Sequence, residues 1–176
     1  MSQNSHHSSN LHQTNGQEGF SCEWKAGQKN HQALSDNNLP GNKVSVLYLF
    51  DNYNWSGVKP EAYKQEPGNF ANIVRNIIVG ARGESCHFEV RYFEIAEGGF
   101  SSLEKHHHEH VIICVRGQGR LRLGREIHHM NFLDIAYISP DTPHQLLNCG
   151  KEPFGFFCIV DRERDLPQEL APEDLI

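Results

Sequence analysis

The chain is poor in the features that define several large protein classes. Its five cysteines, Cys22, Cys86, Cys114, Cys149 and Cys158, are scattered and odd in number, and no two form a CxxC pair. That pattern supports neither a disulfide framework nor a paired-cysteine zinc module, and it makes a reducing cytoplasm the expected compartment. No apolar run approaches the roughly 18 residues that span a bilayer, so no membrane association is expected. The first residues have neither a basic nor an apolar segment, so no secretory leader is expected. Lys and Arg are outnumbered, 16 against 22 Asp and Glu, for a net charge of −6. With no basic stripe on this acidic background, nucleic acid is not an expected partner.

What is abundant is histidine, with 12 in 176 residues. That length suits one domain with a core and one or two tails. Residues 1–40, with "MSQNSHHSSNLHQTNGQEGF" and "HQALSDNNLPGN", are dominated by Ser, Asn, Gln, His and Gly. Such a stretch buries too little apolar surface to offset its ordering entropy, so a solvated arm is expected. Residues 41–74 read as an N-terminal extension: "KVSVLYLF" is a strand and "DNYNWSGVKPE" a loop. A barrel domain is expected over 75–161, and residues 162–176, acidic and broken by Pro, read as a C-terminal tail.

From "NFANIVRNIIVG" onward, short segments rich in β-branched and aromatic residues are each closed by turn residues. They are "CHFEVRYFEIA", "HVIICVRG", "GRLRLG", "DIAYI", "HQLLN" and "FGFFCIVD". With no amphipathic helix between them, the fold class is all-β, a sandwich or barrel. Cys114 and Cys158 lie inside such runs and read as core residues. His128 and His129 fall on an exposed hairpin between two of them.

The segment "EKHHHEHVIICVRG", residues 104–117, carries the chemistry. Alternate residues of a strand share a face. Read as a strand, it sets Glu104, His106, His108 and His110 on one side and Lys105, His107 and Glu109 on the other. A further ligand has to come from elsewhere in the chain. His144 in "SPDTPHQLLN" is the candidate, aimed by a turn that Pro140 and Pro143 stiffen. "HEHVI" is not HExxH, because position 112 is Ile.

These residues resemble the cupin family. Its first motif runs glycine, five residues, His-x-His, three or four residues, Glu, six residues, glycine. Gly98, Glu104, His106, His110 and Gly117 reproduce every spacing, with Glu and His exchanged at two positions. The second motif is matched by Pro140, His144 and Asn148, with Asp141 where glycine is common. The resemblance covers about residues 75–161. It implies a double-stranded β-helix, a jelly-roll-like barrel, with one divalent transition metal (Fe, Mn, Ni, Cu or Zn) inside its mouth. The implied ligands are Glu104, His106, His110 and His144, with His108 as the alternative.

The resemblance further implies a small-molecule metalloenzyme. The first expectation is an oxidoreductase of dioxygenase type, with Glu104 as a displaceable ligand and base. The others are a non-redox isomerase, lyase or decarboxylase, and a ligand-binding module without catalysis. Arg91, Tyr92, Tyr137, Gln145 and Phe157 are candidate pocket residues; Arg91 would meet a substrate carboxylate or pair with Glu89. A homodimer is expected.

Overall fold

The computed structural model describes residues 34–39, 43–65, 68–168, 170 and 174. The first segment of the expected arm, residues 1–33, lies outside them. Numbered in chain order, the strands begin with β1 (Leu34–Leu39), β2 (Lys43–Leu47), β3 (Phe50–Asp51), β4 (Asn54–Trp55), β5 (Glu61–Ala62) and β6 (Ala71–Val79). They continue with β7 (Phe88–Phe100), β8 (His110–Arg116), β9 (Gly119–Leu123) and β10 (Glu126–Met130). The last three are β11 (Ile135–Ile138), β12 (His144–Leu147) and β13 (Phe154–Asp161). Among the described residues there is no α-helix, and the all-β expectation is met.

Nine strands form one antiparallel sheet that curls into a nearly closed barrel, in the order β10-β9-β12-β7-β13-β8-β11, with β5 and β6 continuing from β7. β7 is its spine. Its first half pairs with β13 and β6, and Phe100 at its end meets Leu147 of β12. The alternation in "FEVRYFEIA" sorts its side chains: Glu89, Arg91, Phe93 and Ile95 face into the barrel. The core fills one end, around the fully buried Ile95, Ile112, Cys114, Leu121 and Phe154. The other end is left to the polar groups described below.

Two local expectations are corrected. "DNYNWSGVKPE" contains the β3–β4 hairpin rather than only a loop. Asn52 and Tyr53, with φ of 47° and 60°, supply the left-handed turn that two-residue hairpins favour. Phe50 and Trp55 pack edge to face, and Trp55 continues onto Tyr92 and Phe157. The second correction concerns residues 104–109, which are not strand. Glu104 and Lys105 form single bridges, a bend follows at His107–His108, and β8 starts only at His110. Within the segment read as an arm, β1 pairs with β2.

Candidate metal centre

Three histidines from two parts of the chain converge at the polar end of the barrel. Glu104 and His144 exchange backbone bonds: Glu104 N–H donates to His144 O at 3.2 Å, and His144 N–H donates to Glu104 O at 2.9 Å. This bridge ties the histidine segment to the start of β12. The bend after His106 then turns its ring back over the first residue of β8. The Asp141 N–H donates to His106 O at 2.7 Å and holds the bend from the opposite side.

The turn that aims His144 is built as its sequence suggests, with one departure. Asp141 occupies the left-handed region at φ 60°, where glycine is the usual choice. Aspartate is among the few other residues that visit it readily. Gly117, which closes the histidine segment, also has a positive φ (59°), and a Cβ there would strike Pro153 O.

The ligand nitrogens of His106, His110 and His144 lie within 4.8 Å of one another, and all three residues are buried. Backbone carbonyls set two of the tautomers. His106 Nδ1 donates to His108 O at 2.9 Å and His144 Nδ1 donates to Thr142 O at 2.8 Å. A carbonyl can only accept, so both rings carry their proton on Nδ1 and keep the Nε2 lone pair free. His110 Nε2 lies 2.8 Å from His106 Nε2, and its Nδ1 lies 3.1 Å from Cys158 Sγ. Burial raises the Cys158 thiol pKa, which keeps its proton available to His110 Nδ1.

Burial also drives the imidazoles to their neutral form. It is the main cause that brings His106 from 6.5 to about 4, with the neighbouring rings of His108 and His144 adding to it. His110 is pushed down further by burial and then by His144 and His106. Burial lowers His144 as well. Neutral imidazole is the metal-binding form. Two such groups with fixed tautomers, and a third whose proton can move to the side of Cys158, fit a divalent transition metal, and the carbonyls behind His106 and His144 are the orienting partners such ligands need.

The remaining predicted residues fall in different places. Glu104 lines the same cavity, but its carboxylate meets Lys64 Nζ at 2.5 Å. The His108 ring stacks on His106 at 3.6 Å and its Nδ1 contacts Asp165 Oδ1 at 2.6 Å. His106, His108 and Asp165 thus form a second potential ligand group at the mouth. Arg91 lines the cavity; its predicted alternative partner, Glu89, is engaged by Arg164 at 2.9 Å. Tyr92 is on the outer side of β7, with its hydroxyl donating to Glu94, and Phe157 packs against it there. Adjacent strand residues point oppositely, so Arg91 and Tyr92 cannot share a face. Tyr137 is exposed, and Gln145 donates to Ser101 O at 2.9 Å.

The cavity has a volume of about 370 Å³. Ile73, Phe93, Ile112, Leu146 and Phe156 give it an apolar floor. Its rim contains residues with no local sequence signal: Tyr63 and Lys64 from the loop before β6, Arg75 from β6, and Arg162, Arg164 and Asp165 after β13. Asp165 accepts from the N–H groups of His107 at 2.8 Å and His108 at 3.2 Å, which folds the C-terminal segment over the mouth. The His107 N–H, followed by the His108 side chain, holds the Asp165 carboxyl well below its usual range. The charged run "RERD" was the one available hint, because it follows directly on a barrel strand.

Comparison with known proteins agrees with this architecture. The family described as Cupin domain matches residues 91–160. The chain is 36% identical over 124 residues to the 1-methylthio-D-xylulose 5-phosphate methylsulfurylase of Rhodospirillum rubrum, covering 70% of this chain and 78% of that protein. A crystal structure of a cupin-2 domain protein from the same organism superimposes with a TM-score of 0.64 at 33% identity, over 73% of this chain and 86% of that one. A cupin 2 conserved barrel domain protein from Rhodopseudomonas palustris gives a TM-score of 0.63 at 32% identity, over 80% and 88%. The paired motifs, the curled antiparallel sheet and these relatives lead to one conclusion: the chain belongs to the cupin family.

Proposed function

We propose that this cupin is a metal-dependent enzyme that acts on a small phosphorylated ketose, or a close analogue of one, without net oxidation. The observation that carries this reading is the set of three buried, converging imidazoles, His106, His110 and His144, opening into a cavity rimmed by cations. The likeness to a methylsulfurylase of a xylulose phosphate derivative supports this substrate class over the oxygen-using chemistry first expected. A divalent cation held by the triad would supply Lewis acidity to a substrate carbonyl.

The chain's own groups suit proton transfer beside a carbonyl. Glu104 Oε2, paired with Lys64 Nζ, is the base that takes a proton from the carbon next to the carbonyl. Lys64 holds the carboxylate in place until it does so. The Tyr63 hydroxyl keeps its proton, because burial and then the charge of Glu104 raise its pKa. It therefore does not compete as a base. The apolar floor and the Asp165-clamped segment restrict water.

The test is anaerobic incubation of the metal-loaded protein with a ketose phosphate in deuterated water, followed by NMR. Deuterium entering the carbon beside the carbonyl, lost on metal removal and in Glu104→Gln, is the expected result. Turnover that requires dioxygen would overturn the reading.

A further inference from the structure

The cavity holds more positive than negative charge, and most of its cations already have partners. Lys64 is matched by Glu104, Arg75 Nη2 by Glu61 at 2.9 Å, and Arg164 Nη2 by Glu89 at 2.9 Å. Arg91 is different. It is only 8% exposed, and no carboxylate among the described residues pairs with it. Its Nη2 touches the sulfur of Cys158 at 3.2 Å, its Cζ lies 5.3 Å over the Phe93 ring, and its buried Nε has no hydrogen-bond partner. The Nε of Arg75 is likewise buried and unpartnered.

Arginine cannot shed its proton to escape such a site. A buried cation without an anion is unfavourable, and a thiol is a weak acceptor. The strand register brings the second arginine close. Arg75 is opposite Phe93 and Ile77 is opposite Arg91, which makes Arg75 and Arg91 diagonal neighbours on the inner face. A guanidinium edge with a free Nε–H matches two oxygens of one oxyanion. Cys158 Sγ lies between this edge and the metal site, 3.2 Å from Arg91 and 3.1 Å from His110.

We infer that Arg91, assisted by Arg75, forms the anion subsite of the cavity, and that it takes the phosphate of the substrate. It is the residue that selects phosphorylated over unphosphorylated sugars. The inference rests on the functional reading above and adds the group that reads the substrate's charged end.

The experiment is calorimetric titration of the full chain, metal-loaded and metal-stripped, with inorganic phosphate and separately with acetate. Wild type, Arg91→Met, Arg91→Lys and Arg75→Met are compared, with metal content and melting temperature measured in parallel. Phosphate is expected to bind with or without metal, more than tenfold weaker in Arg91→Met and several-fold weaker in Arg91→Lys and Arg75→Met. Metal content should not change. The unliganded Arg91→Met protein should melt no lower than wild type, since a buried unpaired charge has gone. Should Arg91→Met fail to fold, Arg91→Lys decides: wild-type phosphate affinity there overturns the inference. So does phosphate binding that requires the metal, phosphate binding that persists in a folded Arg91→Met, or acetate binding as tightly as phosphate. A wild type that takes up no metal when it is supplied, yet binds phosphate through Arg91, upholds this inference and removes the metal reading; a full metal site with no Arg91 effect does the reverse.

Discussion

His106 and His110 face each other through their Nε2 atoms at 2.8 Å. Because His106 already donates through Nδ1 to a carbonyl, this contact is held either by one proton on His110 Nε2 or by a cation that replaces it. The second arrangement moves the His110 proton to Nδ1, against Cys158 Sγ. The thiol is well suited to that exchange, because a sulfur can donate to a ring nitrogen or accept from it.

Replacing His106, His110 or His144 singly by Ala is expected to remove bound metal, measured per chain by mass spectrometry after purification without metal-affinity resin. His108→Ala is expected to keep it, since that ring turns toward Asp165. Glu104→Gln is also expected to retain metal, with affinity reduced by no more than about 10–100-fold, the range for residues that support ligands. Loss of metal in Glu104→Gln would make Glu104 a fourth ligand and return to the set that the motif spacing implies.

The metal-free protein should lose stability as pH falls from 6.5 toward about 4, the interval between the ordinary histidine pKa and that of His106. The sign follows from proton counting. In this interval the unfolded chain binds a proton that the folded His106 refuses, so unfolding takes up protons and acid favours it. His110 and His144 are depressed in the same direction and add to the slope. Melting temperature against pH should fall more steeply in wild type than in His106→Gln. A slope unchanged by that substitution would mean that another group governs the acid limb.

The convergence of His106, His110 and His144 was legible because the motif spacing picked out the first two and the turn before β12 the third. Gly98, Glu104, His106, His110 and Gly117 kept their spacing, and His144 was reachable through its prolines. The assumption of an unbroken strand from Glu104 was not sound, because nothing local announces the bend at His107–His108. Lys64 and Asp165 were out of reach for another reason. Lys64 acts on a residue 40 positions away and Asp165 on residues 57 and 58 away, through side-chain pairing that leaves no periodic trace. Arg91 was identified, but its neighbour Tyr92 points to the opposite side, and only the register says which of the two faces in.

Asp165→Ala is expected to release the C-terminal segment from the mouth. The variant loses acceptors for two backbone N–H groups and for His108 Nδ1. Hydrogen exchange at His107 and His108 should accelerate, and KM should rise more than kcat falls, because the segment covers the cavity and does not touch the triad. Unchanged exchange at both amides would show that the segment is held by other contacts, such as Gln168 N–H on Lys105 O at 2.8 Å.

The left-handed Asp141 gives a prediction in which two small effects oppose each other. Its φ of 60° strains any residue with a Cβ, by about 1–2 kcal/mol. Glycine would relieve that strain but adds about 0.5–1 kcal/mol of unfolded-state entropy to be lost. It would also delete a contact with His107 Nδ1 at 2.8 Å, which is exposed on both sides and worth little. Asp141→Gly should therefore leave stability within about 1 kcal/mol of wild type. Asp141→Val keeps none of these compensations, since a β-branched residue is a true outlier at positive φ. It should destabilise by about 1–3 kcal/mol in denaturant unfolding. It should also weaken metal binding, because the strained turn carries both the N–H that holds His106 O and the carbonyl of Thr142 that fixes His144. If Asp141→Val lowered stability and left metal affinity untouched, the turn would be a structural corner and not a support for the ligands.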